Sequence, residues 1–140
     1  VFIKSREFLD QNMLKEMYDF LVVDFHGEIT SEKMAIGHVF DGNATFVVGT
    51  HTHVPTNDGR VLSKGTAYLT DAGMCGDYNS VIGMNAENSI NRFYKRDSIK
   101  HFPAEGEASL CGAIIEANPK NGLASNISQF IFGGQLQKDN

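Results

Sequence analysis

Apolar and polar positions along this chain follow two periods, and the places where one gives way to the other lay out the elements. Over residues 4–19, Phe8, Leu9, Met13, Leu14 and Met17 recur at helical spacing among Lys, Glu, Asp and Gln, which predicts an amphipathic helix. The apolar run Phe20-Leu21-Val22-Val23 follows without polar interruption, predicting a strand covered on both faces that delivers Asp24-Phe25-His26 at its carboxyl end. Thr30 or Ser31 is suited to cap a second helix, with Ala35, Ile36, Val39 and Phe40 as its stripe and Gly42 as its stop. Residues 45–49 form the next strand. Turn chemistry at Pro55-Thr56-Asn57-Asp58-Gly59 precedes two short strands, near residues 60–62 and 66–70, that return on each other around Gly65.

Residues 71–83 read as a glycine-rich loop of the kind that carries function. Asn85 predicts an N-cap for a helix reaching about Arg96, with Ile90, Phe93 and Tyr94 as its buried stripe. From Glu107 the period changes to two, and residues 108–116 and 123–132 flank the turn Asn118-Pro119-Lys120-Asn121-Gly122, predicting an antiparallel hairpin. The polar tail, residues 133–140, is expected to fray. The order helix, strand, helix, strand, then a hairpin, gives the class α/β (α+β): parallel strands with a right-handed crossover, closed by antiparallel pairing.

In open sheets of that kind ligands gather beyond the carboxyl ends of the strands, and the histidines stand there. Val47-Val48-Gly49 runs into Thr50-His51-Thr52-His53, two imidazoles at i and i+2, which extended backbone points to one side. His26 ends the preceding strand. Neutral imidazole is the commonest metal ligand, so three such rings at two strand ends point to a metal site; the alternative is that they cap the strand ends by hydrogen bonding. Three histidines suit Zn, Fe, Mn or Co, and with no Cys beside them ligand softness does not choose. His26, His51 and His53 could hold one ion with an open position for water, or share two ions in the manner that hydrolyses phosphoesters. Asp24, Glu28 and Asp71 are read as orienting groups. His38 is read as structural or solvent-facing, and Arg92, Lys95, Arg96 and Lys100 as the sign expected at a helix C-terminus.

Composition narrows the field. The 140 residues, 41% hydrophobic and 21% charged with 14 Gly, are globular material for a single domain. A net charge of −5 argues against duplex nucleic acid, whose binding is dominated by phosphate neutralisation, but leaves a small anionic substrate if a metal supplies positive charge. Apolar runs of this length cannot cross a bilayer, and no signal peptide is visible. Cys75 and Cys111 fit packed, reduced thiols, hence a cytoplasmic location. The start on Val suggests processing, truncation or a fragment.

Three stretches together carry a likeness. Val23-Asp24-Phe25-His26-Gly27-Glu28-Ile29-Thr30-Ser31-Glu32-Lys33, Val48-Gly49-Thr50-His51-Thr52-His53-Val54, and Thr70-Asp71-Ala72-Gly73-Met74-Cys75-Gly76 through Ser80-Val81-Ile82-Gly83-Met84 resemble, in order, motifs of the bacterial YmdB-like branch of the calcineurin-like metallophosphoesterases. The resemblance implies a four-layer α/β/β/α sandwich and a dinuclear phosphodiesterase acting on 2′,3′- or 3′,5′-cyclic AMP, with Fe, Mn or Zn, or Mg, as its two ions. It implies His26 and His51 on one ion and His53 on the other, with Asp71, Gly73 and Met74 bordering the substrate. The family's opening Gly-Asp strand, its bridging carboxylate and the Gly-Asn-His that supplies the proton-donating His are absent; Gly42-Asn43 is followed by Ala44. The chain therefore resembles the C-terminal half of such a domain, one incomplete domain over residues 1–140. The expectations are no catalytic proton donor in this chain, no activity from it alone, and homo-oligomers or exposed apolar patches where strands lack partners. Two other readings stand beside it: a mononuclear three-His hydrolase or lyase, and a non-catalytic binding module.

Overall fold

The computed structural model describes residues 1–94 and 100–136. Two sheets lie face to face. The first has the order β1-β2-β4-β3, where β1 is Val22–His26, β2 Phe46–Thr50, β3 Arg60–Val61 and β4 Ala67–Leu69. β1 and β4 flank β2 in parallel, and β3 pairs antiparallel with β4. The second sheet is antiparallel, β5-β6-β7, with β5 Gly76–Asp77, β6 Ala108–Ala117 and β7 Ala124–Phe132.

Alternation along β2 and β4 builds the core on both faces of the first sheet. Val47 and Tyr68 face one side, where they pack with Ile36 and Phe40 of α2 (Thr30–Phe40) and with Leu9 of α1 (Phe2–Gln11). Phe46, Val48, Ala67 and Leu69 face the other, against Ala113, Ile115, Ala124 and Ile127 of the second sheet. Gly37 lets α2 close on the sheet, since a Cβ there would stand 2.5 Å from the Tyr68 ring. The mixed α/β class and the two packed sheets of the sandwich are as the sequence implied, and no helix among the described residues is long and apolar enough to cross a membrane.

Several expectations need correction, among them the cap of α2, where Ile29 stands in the cap position with no side-chain cap and Thr30 and Ser31 are already helical. The first helix ends at Gln11 rather than near residue 19: the Asn12 side chain donates to the Phe8 carbonyl at 2.8 Å, and Lys15 takes φ +69, which a continuing helix forbids. β1 starts at Val22, two residues after the apolar run begins, and it is an edge strand, so Val22 is 61% exposed instead of covered on both faces. The loop at 71–83 contributes β5 to the second sheet. In α3 (Ala86–Phe93) the Asn85 side chain accepts from the Asn88 amide at 3.0 Å, as a cap should, but the helix faces the opposite way to its pattern. Asn88 and Ser89 are buried, while Ile90, Phe93 and Tyr94 are exposed. Lys95 and Arg96, read as the end of this helix, lie outside the described residues.

Candidate metal centre

The parallel register of β1 and β2 sets His26 opposite Thr50, so the carboxyl end of one strand and the first residue beyond the other meet at one corner of the sheet. There the His26 Nε2 and His51 Nδ1 atoms are 3.2 Å apart, with the rings edge to face at a centroid separation of 5.0 Å. Two nitrogens bonded to one ion at about 2.0–2.1 Å, at an angle of about 90–110°, are themselves separated by about 3 Å. The pair therefore has the spacing of two ligands of a single ion.

Hydrogen bonding also fixes which nitrogen of His26 is available. Thr50 Oγ1 donates to Asp24 Oδ1 at 2.9 Å, so it accepts from His26 Nδ1 at 3.1 Å. The proton sits on Nδ1 and the lone pair of Nε2 faces His51. His53 is set by the same logic but by a different partner. Its Nδ1 donates to the Ile82 carbonyl at 2.8 Å, leaving Nε2 as the lone-pair nitrogen. It makes no hydrogen bond to the other two rings, and among the described residues no three His, Cys, Asp or Glu side chains converge to hold one ion. The donor set thus fits a metal as two ligands of one ion plus a separate third imidazole, with the outer nitrogens of His26 and His53 tied off.

The backbone that presents these rings is unusual. Among the described residues four non-glycine positions have left-handed φ, and three are here: His51 at +130, His53 at +65 and Ile82 at +48. Such values persist only where surroundings over-determine them, and they concentrate at functional sites. The surroundings are a buried clamp. Lys33 Nζ and Asp71 Oδ2 lie 2.8 Å apart with both side chains 1% exposed, and Asp71 also accepts from the amides of Thr52 at 2.9 Å and Gly73 at 3.0 Å. Burial alone would push the Asp71 carboxyl up, but the Lys33 ammonium and these two amides outweigh it and hold it below the usual carboxylate range. Asp71 thereby grips the residue between His51 and His53. Gly49 makes room for the clamp: a Cβ there would stand 1.8 Å from the Thr70 carbonyl oxygen and 2.9 Å from Lys33 Cδ.

A second strut comes from Tyr78, whose hydroxyl donates to the His53 carbonyl at 3.0 Å. Burial, then the neighbouring Cys111 thiol, push the Tyr78 phenol well up, so it remains a donor. Of the three residues read as bordering the substrate, Asp71 lies beneath the His-Thr-His segment with its carboxylate fully engaged. Gly73 packs against Pro55 at φ +78, and Met74 is half-buried with its amide on the His53 carbonyl at 3.2 Å. His38 is exposed on α2, away from these contacts. Sequence reasoning missed Thr50, Tyr78, Ile82 and Lys33. For Lys33 a signal existed: it shares the buried face of α2 with Ile36, Gly37 and Phe40, at helical spacing.

Comparison with known proteins shows the family and the fold. A family model described as YmdB-like protein matches residues 1–130. The 2′,3′-cyclic-nucleotide 2′-phosphodiesterase of Bacillus subtilis (strain 168) is 42% identical over 131 residues, which are 94% of this chain and 49% of that protein. A crystal structure of a novel phosphatase from Mycoplasma pneumoniae superposes with a TM-score of 0.83 at 36% identity, covering 94% of this chain and 46% of that one. A hypothetical protein from Thermus thermophilus gives 0.84 at 36% identity, over 96% and 51%. The chain spans about half the length of the curated relative and solved structures named here.

Proposed function

The chain belongs to the YmdB-like family, and on that premise we propose that it supplies His26, His51 and His53 to the metal centre of a phosphodiesterase that hydrolyses cyclic nucleotides. His26 and His51 bind one ion and His53 a second. That His53 is tied to Ile82 and not to the pair favours this sharing over three histidines on one ion. The ions are transition metals, Fe, Mn or Zn, with Mg as a substitute. When bound, a pair of such ions polarises the phosphoryl group and lowers the pKa of an attacking water.

This chain's own contribution is orientation. Thr50 holds the His26 proton on Nδ1 and so keeps Nε2 aimed at the site; Ile82 does the same for His53. Lys33 and Asp71 fix the Thr52 amide so that the two imidazoles around it keep their places. The observation that carries the reading is the 3.2 Å approach of two imidazole nitrogens, with the outer nitrogen of His26 already held by Thr50.

We propose further that residues 1–140 are one part of a larger metallophosphoesterase domain, whose remainder brings the bridging carboxylate and the proton-donating His. The free edge of β1, where Phe20 is 49% and Val22 61% exposed, suits pairing with that remainder. The cytoplasm suits the two unpaired thiols. For the 140 residues without that remainder, assembly into homo-oligomers is proposed at the same edge and is checked by light scattering.

The test is hydrolysis of 2′,3′-cyclic AMP by the intact protein with added Mn²⁺, compared with the 140 residues alone. The reading expects turnover from the first and none from the second. Turnover at a normal enzyme's rate by the 140 residues, or metal content unchanged in the double variant His51→Ala/His53→Ala, contradicts it.

A further inference from the structure

Beside the Ile82 carbonyl that holds His53 lies a cavity of about 310 Å³ lined by Val81, Ile82, Met84 and Phe93 together with Ser89, Arg92 and His101. Its volume falls at the lower end of the range of about 300–1,000 Å³ typical of small-molecule sites, and its character is mainly apolar with few polar groups. Phe93, the last residue of α3, is 82% exposed and presents an open ring at the same cavity.

Ile82 belongs to both places. Its carbonyl oxygen accepts from His53 Nδ1 at 2.8 Å while its side chain lines the cavity. It does so from a tight turn: the Val81 and Met84 backbones exchange hydrogen bonds of 2.9 and 3.0 Å, and Ile82 and Gly83 between them have φ +48 and +92. Both central residues with positive φ make a type I′ turn, a conformation that a β-branched residue resists. The strain keeps the Ile82 carbonyl on the imidazole and its apolar side chain on the cavity. The reversed burial of α3 leaves Phe93 outward as an aromatic face at this space.

We infer that this cavity takes the base of the nucleotide whose phosphate lies at the imidazoles, an inference that rests on the phosphodiesterase reading above. A flat heterocycle stacks a face on Phe93 and on the Ile82 and Met84 side chains, and turns its polar edge to Arg92 and His101, whose side chains carry nitrogen donors for ring nitrogens and exocyclic oxygens. The phosphate is assigned to the imidazoles, where the ions supply the anion site, and the Val81, Ile82, Met84 and Phe93 surface here suits the base.

The experiment is titration of adenosine, which carries no phosphate and cannot be hydrolysed, into the metal-free intact protein, read by NMR or calorimetry. Phe93→Ala removes a side chain already in solvent and so leaves folding untouched; it weakens adenosine binding about tenfold or more. Arg92→Met weakens it about fivefold, with a thermal melt to confirm folding. In the metal-loaded protein, the preference for 2′,3′-cyclic AMP over glycerol 1,2-cyclic phosphate, which has the ring phosphodiester but no base, falls by a similar factor in Phe93→Ala. Failure to bind adenosine, or equal binding by wild type and both variants, overturns the inference. Phe93-dependent adenosine binding in a protein that hydrolyses neither cyclic phosphate overturns the phosphodiesterase reading and leaves the base site standing.

Discussion

Two levels of the same sheet corner obey opposite rules. Below, Lys33, Asp71, Gly49 and the Thr52 amide form a closed set in which the carboxylate has a partner on each oxygen and no space remains for a Cβ at Gly49. Above, the imidazoles of His26, His51 and His53 are exposed, with His26 and His53 held by an outer nitrogen and His51 by its contact with His26, and the backbone of His51 and His53 takes φ values that side chains rarely adopt. Folding free energy sits in the lower level, and it holds the upper level in a geometry the upper level would not choose. Rigid support beneath under-satisfied ligands is what a metal site needs, since an ion completes the upper level only if the rings are already in place.

The comparison breaks most completely at Gly49. Gly49→Ala drives a methyl into the Thr70 carbonyl, an overlap beyond ordinary over-packing, which costs about 1–3 kcal/mol. Against a total stability of about 5–15 kcal/mol the variant is expected to show no cooperative melt. Lys33→Met leaves the Asp71 carboxylate buried without its cation, for a loss of about 3–5 kcal/mol by urea unfolding.

The upper level responds in the other measure. Thr50→Val frees the His26 tautomer and is expected to weaken metal affinity about 10–100-fold, while its stability stays within about 0.5 kcal/mol. A large stability loss with unchanged metal affinity would put Thr50 in the wrong level.

Acid sharpens the contrast more gently. Burial pushes the Asp71 and Asp58 carboxyls up, but Lys33 and amides at Asp71, and the hydroxyls of Thr70 and Thr56 at Asp58, leave both below the ordinary range. A carboxyl with a depressed folded pKa stabilises the fold fully above its unfolded pKa of about 3.9 and loses that contribution as pH falls through the folded value. The melting temperature is therefore expected to hold from pH 7 to about 5 and to drop below about 4. A drop already complete at pH 5 would mean these carboxylates are not what acid removes. Smallest of all, Ile82→Asn relieves left-handed strain and is expected to gain about 1 kcal/mol, seen as a rise of a few degrees in the melt.

Much of the upper level was legible in the sequence and little of the lower. His26, His51 and His53 could be read because strand period and strand ends are written in Val22-Val23 and Val47-Val48-Gly49, and parallel neighbours bring such ends together. Lys33 escaped because a lysine is ordinarily solvated, although its place on the apolar stripe of α2 was visible. Two errors share one cause: periodicity tells that a stripe exists, not where it stops or which way it faces. Met13, Leu14 and Met17 continue the period of α1, but the Asn12 side chain takes the Phe8 carbonyl and the chain turns. In α3 the stripe of Ile90 and Phe93 is real, and tertiary context turns it to solvent and Ser89 inward.

The central claim is that these imidazoles are metal ligands, and anomalous diffraction from crystals of the intact protein grown with Mn²⁺ or Zn²⁺ tests it most directly. The account predicts one peak bonded to His26 Nε2 and His51 Nδ1, at about 2.0–2.2 Å, and a second bonded to His53 Nε2. Peaks elsewhere, or imidazole nitrogens still 3.2 Å from one another with no ion between them at saturating metal, would contradict it.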